Sequence, residues 1–186
     1  MKNISLLLLL CLLASPASAE QWRHSSAESR LHFAPSFEGL PINGEFSQFQ
    51  VSMLSDQNQQ PDSLVVRVEI ASADLGSSEL NEAIQMVDWF DSQRFAEASF
   101  VSEQITTTGK DNQYIASGSL SLKAVQKTIQ VPFSWQPSAS GGIRLRGELQ
   151  LDRGDFAIGS GEWSSGDQIG LGVSVWFDIN LVPAND

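Results

Sequence analysis

Residues 169–181 read IGLGVSVWFDINL, with Ile169, Leu171, Val173, Val175, Phe177, Ile179 and Leu181 on every second position and mostly small or polar residues between them. Successive side chains of an extended chain point to opposite faces, so this period of two predicts a long β-strand with one apolar face and one wetted face. What lies against the apolar face decides the function. Protein side chains there make a stable packed barrel; a residual cavity makes a container for an apolar ligand.

Working back from that strand, similar stretches run from Ser29 to Phe37, Asn43 to Leu54, Ser63 to Ala73, Ala98 to Thr107, Gln113 to Leu122, Thr128 to Gln136 and Ile143 to Asp152. Turn-forming residues separate them, at 57–62, 109–112 and 137–142. The inward faces are consistently apolar: Leu64, Val66, Val68 and Ile70 share one, Ile129, Val131, Phe133 and Trp135 another, and Ile143, Leu145, Leu149 and Leu151 align across Gly147. Eight such strands close most economically into an antiparallel barrel, because closure removes exposed edges. An eight-stranded barrel either fills its interior with side chains or holds one small ligand, and strand number leaves both open.

Between Ala73 and Ala98 the period changes. Leu80, Ala83, Ile84, Val87 and Phe90 follow the spacing of an amphipathic helix, with Ser78 placed to cap it and Glu79 and Glu82 near its positive end. The expectation is therefore an all-β fold, a single lipocalin-like eight-stranded barrel with one inserted amphipathic helix.

The first nineteen residues read as a secretory leader. Lys2 gives the positive start, Ile4 to Leu13 the apolar core, and Ala17-Ser18-Ala19 a small-residue cleavage site. The apolar run is shorter than the roughly 20 residues that span a bilayer, and no comparable run follows, so no stable membrane insertion is expected. Cleavage would leave residues 20–186 as one domain and would remove Cys11, the only cysteine. An exported domain without a disulfide draws its stability from burial and sheet hydrogen bonds, and the bacterial periplasm is the expected location.

The formal net charge of −11 opposes nucleic acid and anionic lipid alike. Charge is also uneven along the chain. From Asp56 to Glu103 there are 2 basic and 10 acidic residues, whereas from Lys110 to Arg153 there are 6 basic and 3 acidic.

Four groups of residues carry a resemblance. Ser29-Arg30-Leu31-His32-Phe33 is followed by Gly44-Glu45-Phe46 and Phe49. Asp88-Trp89-Phe90-Asp91 is followed by Arg94-Phe95 and Phe100. Gly118-Ser119-Leu120-Ser121-Leu122-Lys123-Ala124-Val125 leads to Val131-Pro132-Phe133. Leu151-Asp152-Arg153 leads to Phe156, Ile158-Gly159 and Gly161-Glu162-Trp163. In this order the chain resembles the YceI-like proteins, exported lipocalin-like barrels associated with isoprenoid lipids. Ala96 stands where that pattern has proline, and Ala124 and Ala157 where it has glycine, so local turn geometry is expected to differ there.

The resemblance implies a tunnel for a polyprenyl lipid or the tail of an isoprenoid quinone, with no covalent cofactor. The expected lining is Phe33, Phe46, Val68, Ile70, Phe100, Leu120, Val131, Phe133, Leu149, Phe156, Val173 and Val175, each of which is equally readable as plain core. Trp89 and Phe90 either cap one end as a lid or staple the helix to the sheet. Arg153 either meets a quinone carbonyl or lipid phosphate at the mouth, or ties the neighbouring loop through Asp152 or Asp155.

Other motifs carry less. Arg153-Gly154-Asp155 is a short adhesion-like tripeptide. His24 and His32 have no cysteine partners for a metal site, and Asp88 and Asp91 suit a helix end. The glycines from Gly159 to Gly172 lack the lysine of a phosphate loop, and no G-x-S-x-G elbow occurs. The expected function is a non-catalytic isoprenoid carrier. The alternatives are a filled-barrel docking module or, further off, a lipid-modifying enzyme acting through a loop residue. A homodimer or a transient membrane-protein partner stays open.

Overall fold

The computed structural model describes residues 19–138 and 141–184. The expected leader, apart from Ala19, lies outside the described residues, as do Ala139 and Ser140 of the expected 137–142 turn. The chain opens with β1 (Glu20–His24), β2 (Arg30–Ala34), a small hairpin of β3 (Ser36–Phe37) and β4 (Leu40–Pro41), then β5 (Gly44–Phe46), β6 (Phe49–Ser55), β7 (Pro61–Glu69) and β8 (Ala73–Asp74). Helix α1 (Ser78–Ile84) leads into β9 (Glu97–Thr107), β10 (Gln113–Leu122), β11 (Val125–Pro137), β12 (Ile143–Asp152) and β13 (Gly172–Pro183).

The strands close in the order β1-β6-β7-β9-β10-β11-β12-β13, and β13 returns to β1 through Trp22 opposite Pro183 and His24 opposite Leu181. Every pairing is antiparallel, so the fold is the expected closed eight-stranded barrel. Higher along β13, Ser174 to Asp178 pair with Ala34 to Arg30 of β2. Thus β1 and β2 are two halves of one broken wall strand, and β5 pairs with β2 much as β6 pairs with β1.

The barrel has two unlike ends. At the end where β1 begins, Trp22 meets Trp135 edge-on with centroids 5.9 Å apart, and Tyr114 stacks on Phe133 at 5.6 Å. Both indoles are satisfied: Trp22 Nε1 donates to Ser55 Oγ and Trp135 Nε1 to the Gln59 carbonyl, each at 3.0 Å. This end is a closed aromatic plug. The opposite end is built from α1, the turn at 123–124 and the long connection 153–171.

Within the wall, Phe177 of β13 faces Gly147 of β12. A Cβ on Gly147 would lie 2.4 Å from the Phe177 ring and 2.3 Å from the Pro132 carbonyl oxygen. A side chain at this point is excluded by the ring and backbone, which is why the apolar stripe of β12 skips Gly147.

Three expectations require correction. Strand β1, which closes the barrel, lies ahead of the expected start at Ser29. Strand β13 begins at Gly172, and Ile169 makes only an isolated bridge with Phe37. The carbonyls of Ile169 and Gly170 are taken by the Arg153 guanidinium and that of Leu171 by the Arg153 N–H, while the Gly170 N–H donates to the Ser36 carbonyl at 2.9 Å, so this stretch is held between an arginine and β3 instead of extending β13.

Helix α1 stops at Ile84, with Ser77 as N-cap and no side-chain capping bond. Asn81 fixes the entry instead, accepting from Leu75 N–H at 2.7 Å and donating to Asp74 at 2.8 Å. Of the expected helical stripe, Ile84 and Phe90 are buried while Leu80 and Val87 are exposed. Phe90 reaches the core through a turn. Its N–H donates to the Ile84 carbonyl at 3.0 Å, and Asp91 adopts a left-handed φ of 50°.

Candidate functional site

Between the aromatic plug and the α1 end lies an apolar cavity of about 220 Å³. Its walls come from every barrel strand except β1, because each inward face described above converges on the same axis. Nearest the plug are Val51, Leu64, Val131, Leu145 and Ile179. Val68, Phe100, Leu120, Leu149, Val173 and Val175 form the middle of the wall, and Phe33, Phe46 and Ile70 lead to the other end. Ile84, Trp89, Phe90, Phe156 and Ile158 close over that end, with Asp152 and Arg153 the only ionisable residues in the lining.

Fourteen of the fifteen residues expected at the site therefore border one cavity. The exception is Phe133, which is stacked on Tyr114 in the plug and 2% exposed. It shares an inward face with Val131 but lies one inward position nearer the closed end, where aromatic rings fill the barrel. Phe49, Phe177 and Ile84 also line the cavity. Phe177 was visible in the 169–181 stripe and Phe49 in the opening motif, whereas Ile84 required knowledge of where α1 ends.

Arg153 is 4% exposed and has no carboxylate ion-pair partner among the described residues. Its Nε donates to the Gly170 carbonyl at 3.0 Å, Nη1 to Ile158 at 2.7 Å and Gly159 at 3.1 Å, and Nη2 to Trp163 and Ile169 at 2.6 Å each. A guanidinium has five N–H donors, and all five are used. Burial lowers the Arg153 pKa, and the nearby Asp152 charge opposes that shift. Such a group stays protonated in a protein.

The sequence left Arg153 either at the mouth or tying a loop through Asp152 or Asp155. It ties the loop, but through backbone carbonyls. Asp152 instead accepts from Gly154 N–H at 2.8 Å, and Asp155 pairs with Lys127.

The cradle depends on Gly159. Its φ is +72°, and a Cβ there would lie 2.1 Å from Arg153 Nη1. Trp89 covers the guanidinium, its ring centroid 5.3 Å from Cζ, and lies 5.9 Å from the Trp163 ring. The segment carrying Trp89 is pinned: Gly159 and Ser160 N–H donate to the Asp88 carbonyl at 2.8 Å each, and Lys123 Nζ reaches the Val87 and Ala157 carbonyls at 2.9 Å each. Trp89 and Phe90 thus act as staples as well as lining.

The remaining polar candidates have local partners. His24 Nδ1 accepts from Val51 N–H at 3.2 Å and stacks on Phe49, while His32 stacks on Trp176. Asp88 accepts from Ser160 Oγ at 3.2 Å, and Asp91 pairs with Arg94 at 3.2 Å. Physically, the cavity can solvate a hydrocarbon chain at about 0.8 kcal/mol per buried methylene, before losses of ligand freedom.

Known proteins share this architecture. Over 89 residues the chain is 30% identical to a UPF0312 protein of Photorhabdus laumondii, and the match spans 45% of that curated relative's length. The crystal structure of Burkholderia cenocepacia BcnA superposes with a TM-score of 0.79 and 26% identity, covering 86% of this chain and 99% of BcnA. A polyisoprenoid-binding domain from Saccharophagus degradans, implicated in plant cell wall breakdown, superposes with a TM-score of 0.71 and 15% identity, covering 89% and 99% of the two chains. The YceI protein of Campylobacter jejuni has a TM-score of 0.63 and 16% identity, over 78% of this chain and 86% of its own. The family model of the YceI-like domain matches residues 22–181, and with that span, fold and opening and closing motifs, the chain belongs to the YceI-like domain family.

Proposed function

We propose that this protein is a non-catalytic carrier that holds an isoprenoid lipid, a polyprenyl lipid or an isoprenoid quinone, by its tail inside the barrel. The observation that carries this reading is the cavity itself: an interior lined by apolar side chains from seven of the barrel strands and from β2 and β5, left unfilled between a closed plug and a looped end. Isoprenoid tails have no hydrogen-bonding groups, so an apolar wall is the whole of the recognition they require. The polyisoprenoid-binding domain with the same fold supports the choice of ligand class. The reading further places the protein in the periplasm, delivered there by the leader at residues 1–19.

A non-catalytic role is favoured because Asp152 and Arg153, the ionisable residues of the lining, already hold local backbone and direct no free acid, base or nucleophile at a bound tail. The test is mass spectrometry of an organic extract from the mature protein, purified from periplasm without detergent, beside an unrelated periplasmic protein treated identically. A stoichiometric isoprenoid found only with this protein is the expected result. A clean extract that stays clean after incubation with isoprenoid lipids overturns the proposal and leaves a docking module.

A further inference from the structure

We infer that the lipid enters and leaves the barrel sideways, through a seam in its wall, and that its uncharged polar head rests in a polar cleft outside that seam; this rests on the carrier reading above. Both ends of the cavity are shut. One is plugged by Trp22, Trp135, Tyr114 and Phe133. At the other, Ile84, Phe90, Phe156 and Ile158 close the cavity and are themselves buried. The connection that carries two of them is held by five hydrogen bonds from Arg153 and tied to the Trp89 segment through the Asp88 carbonyl.

The wall is broken where β1 gives way to β2 and, beside it, where β5 gives way to β6. Pairing runs from Glu20 opposite Ser55 to Arg23 opposite Ser52 and resumes only at His32 opposite Glu45. At the edge of the gap the Val51 N–H is taken by the His24 ring instead of a backbone carbonyl. Between these points, residues 25–30 and 47–50 share no hydrogen bond among the described residues. Each side is bonded away from the gap. Ser25 N–H donates to the Asn180 carbonyl at 2.8 Å, and Ser29 Oγ accepts from Asn180 N–H at 3.1 Å. On the other side, Ser47 N–H donates to the Ser72 carbonyl at 3.2 Å, and the Gln48 carbonyl accepts from Glu69 N–H at 3.0 Å. A wall held only from its outer flanks opens locally at low cost.

Phe46 and Phe49 stand in this seam. Both are half-buried, and they alone border both the apolar cavity inside and a second cleft, of about 610 Å³, among the described residues. Phe46 packs on Phe33 at 4.8 Å and Phe90 at 6.4 Å, and Phe49 stacks on His24 at 5.2 Å. Joining the two spaces takes rotation of two side chains and leaves every paired strand in place. The cleft suits a head that hydrogen-bonds without charge: Arg30 and Arg67 share it with Glu45, Glu69 and Glu97, and the exposed Ser47 and Gln48 add neutral donors and acceptors. Arg67 is taken by Glu97 at 2.8 Å. Arg30 uses only Nη1 among the described residues, on the Ala27 and Ser29 carbonyls at 3.3 and 2.7 Å, which leaves N–H groups for a carbonyl or hydroxyl oxygen.

The experiment loads the mature protein with a benzophenone bearing an isoprenoid tail, whose photoreactive ketone stands in for the polar head, and locates the cross-links by peptide mass spectrometry after irradiation. Labels are expected within 24–30, 45–50 and 67–69. In parallel, Gln48→Trp, which adds a ring to the cleft at an exposed position, is expected to slow loading of an isoprenoid quinone from cyclodextrin by about tenfold. Met86→Trp, at a position 61% exposed in the turn after α1, is expected to leave the rate unchanged. Circular dichroism checks the fold of both variants. A bound probe that labels 84–90 or 153–171 and leaves the cleft unlabelled overturns the seam and leaves the carrier reading standing, as does loading that Gln48→Trp does not slow. If neither the probe nor the quinone binds, both fall together.

Discussion

At the scale of single residues, the departures from the family pattern have measurable consequences. Ala124 and Ala157 stand where glycine is expected, and both adopt the left-handed backbone, with φ of 60° and 54°. The turn and the loop therefore keep glycine's geometry without glycine. Left-handed backbone costs an alanine about 1–2 kcal/mol, partly offset by the greater freedom glycine brings to the unfolded chain. Ala124→Gly and Ala157→Gly are each expected to raise stability by about 0.5–1 kcal/mol, read as a higher urea midpoint at unchanged slope; a lower midpoint contradicts this. His24 offers a pH test. Burial depresses its pKa below 6.5, and the Nδ1 that accepts from Val51 N–H is unprotonated in that geometry. The unfolded chain takes up the proton first, so the neutral ring's contribution is complete above 6.5 and disappears as pH falls through the lower folded value. His24→Gln is expected to lose less stability than the natural chain between pH 7.5 and 5, as measured by urea unfolding at both pH values.

At the scale of elements, Arg153 organises the connection 153–171 in place of regular structure. Its guanidinium draws carbonyls of Ile158, Gly159, Trp163, Ile169 and Gly170 onto one point, so residues far apart along the loop share a partner. Lysine has three rotatable donors instead of a planar five. Arg153→Lys is expected to leave buried carbonyls unpaired and to cost about 2–4 kcal/mol at roughly 1–3 kcal/mol per lost partner. Limited proteolysis within 158–170 and a drop in thermal midpoint would register the change; an undisturbed loop would refute the hub. The same residue explains what the sequence reveals about elements and what it hides. Period-two stripes such as 173–181 and 129–135 name the barrel strands and most of the cavity wall, because alternation is a local property. Ile169 and Leu171 continue the stripe, yet their segment is captured by a distant guanidinium, and periodicity carries no trace of that. Helix α1 fails for a related reason: the stripe Leu80, Ile84, Val87 is helical in spacing, but turns from Gln85 to Asp91 carry Phe90 to the core and leave Val87 61% exposed. Strand β1 is legible only with its partners, since Trp22 gains meaning by facing Trp135 and Ser55.

At the scale of the whole molecule, the question is whether the interior is a container or a core with a flaw, and the sign of a stability change distinguishes them. Val175 sits in the middle of the wall, opposite Leu149 on β12 and Phe33 on β2. Exchanging it for phenylalanine adds roughly 50 Å³ of side chain, against a cavity of about 220 Å³. Filling void of that size is worth about 1 kcal/mol at about 24 cal/mol per Å³, whereas forcing the same ring into a fully packed barrel costs about 1–3 kcal/mol. A container should therefore become more stable and less capacious. Val175→Phe is expected to raise the thermal midpoint of the lipid-free protein by several degrees while weakening isoprenoid binding by tenfold or more, since two or three fewer methylenes are buried at about 0.8 kcal/mol each. Differential scanning calorimetry of the stripped protein and a binding titration on the same sample read both quantities. A gain in stability with a loss of binding is the signature of space kept open for a ligand at the expense of the fold. A loss of stability with binding unchanged would mean that the lipid lies elsewhere and that the barrel interior serves only as core.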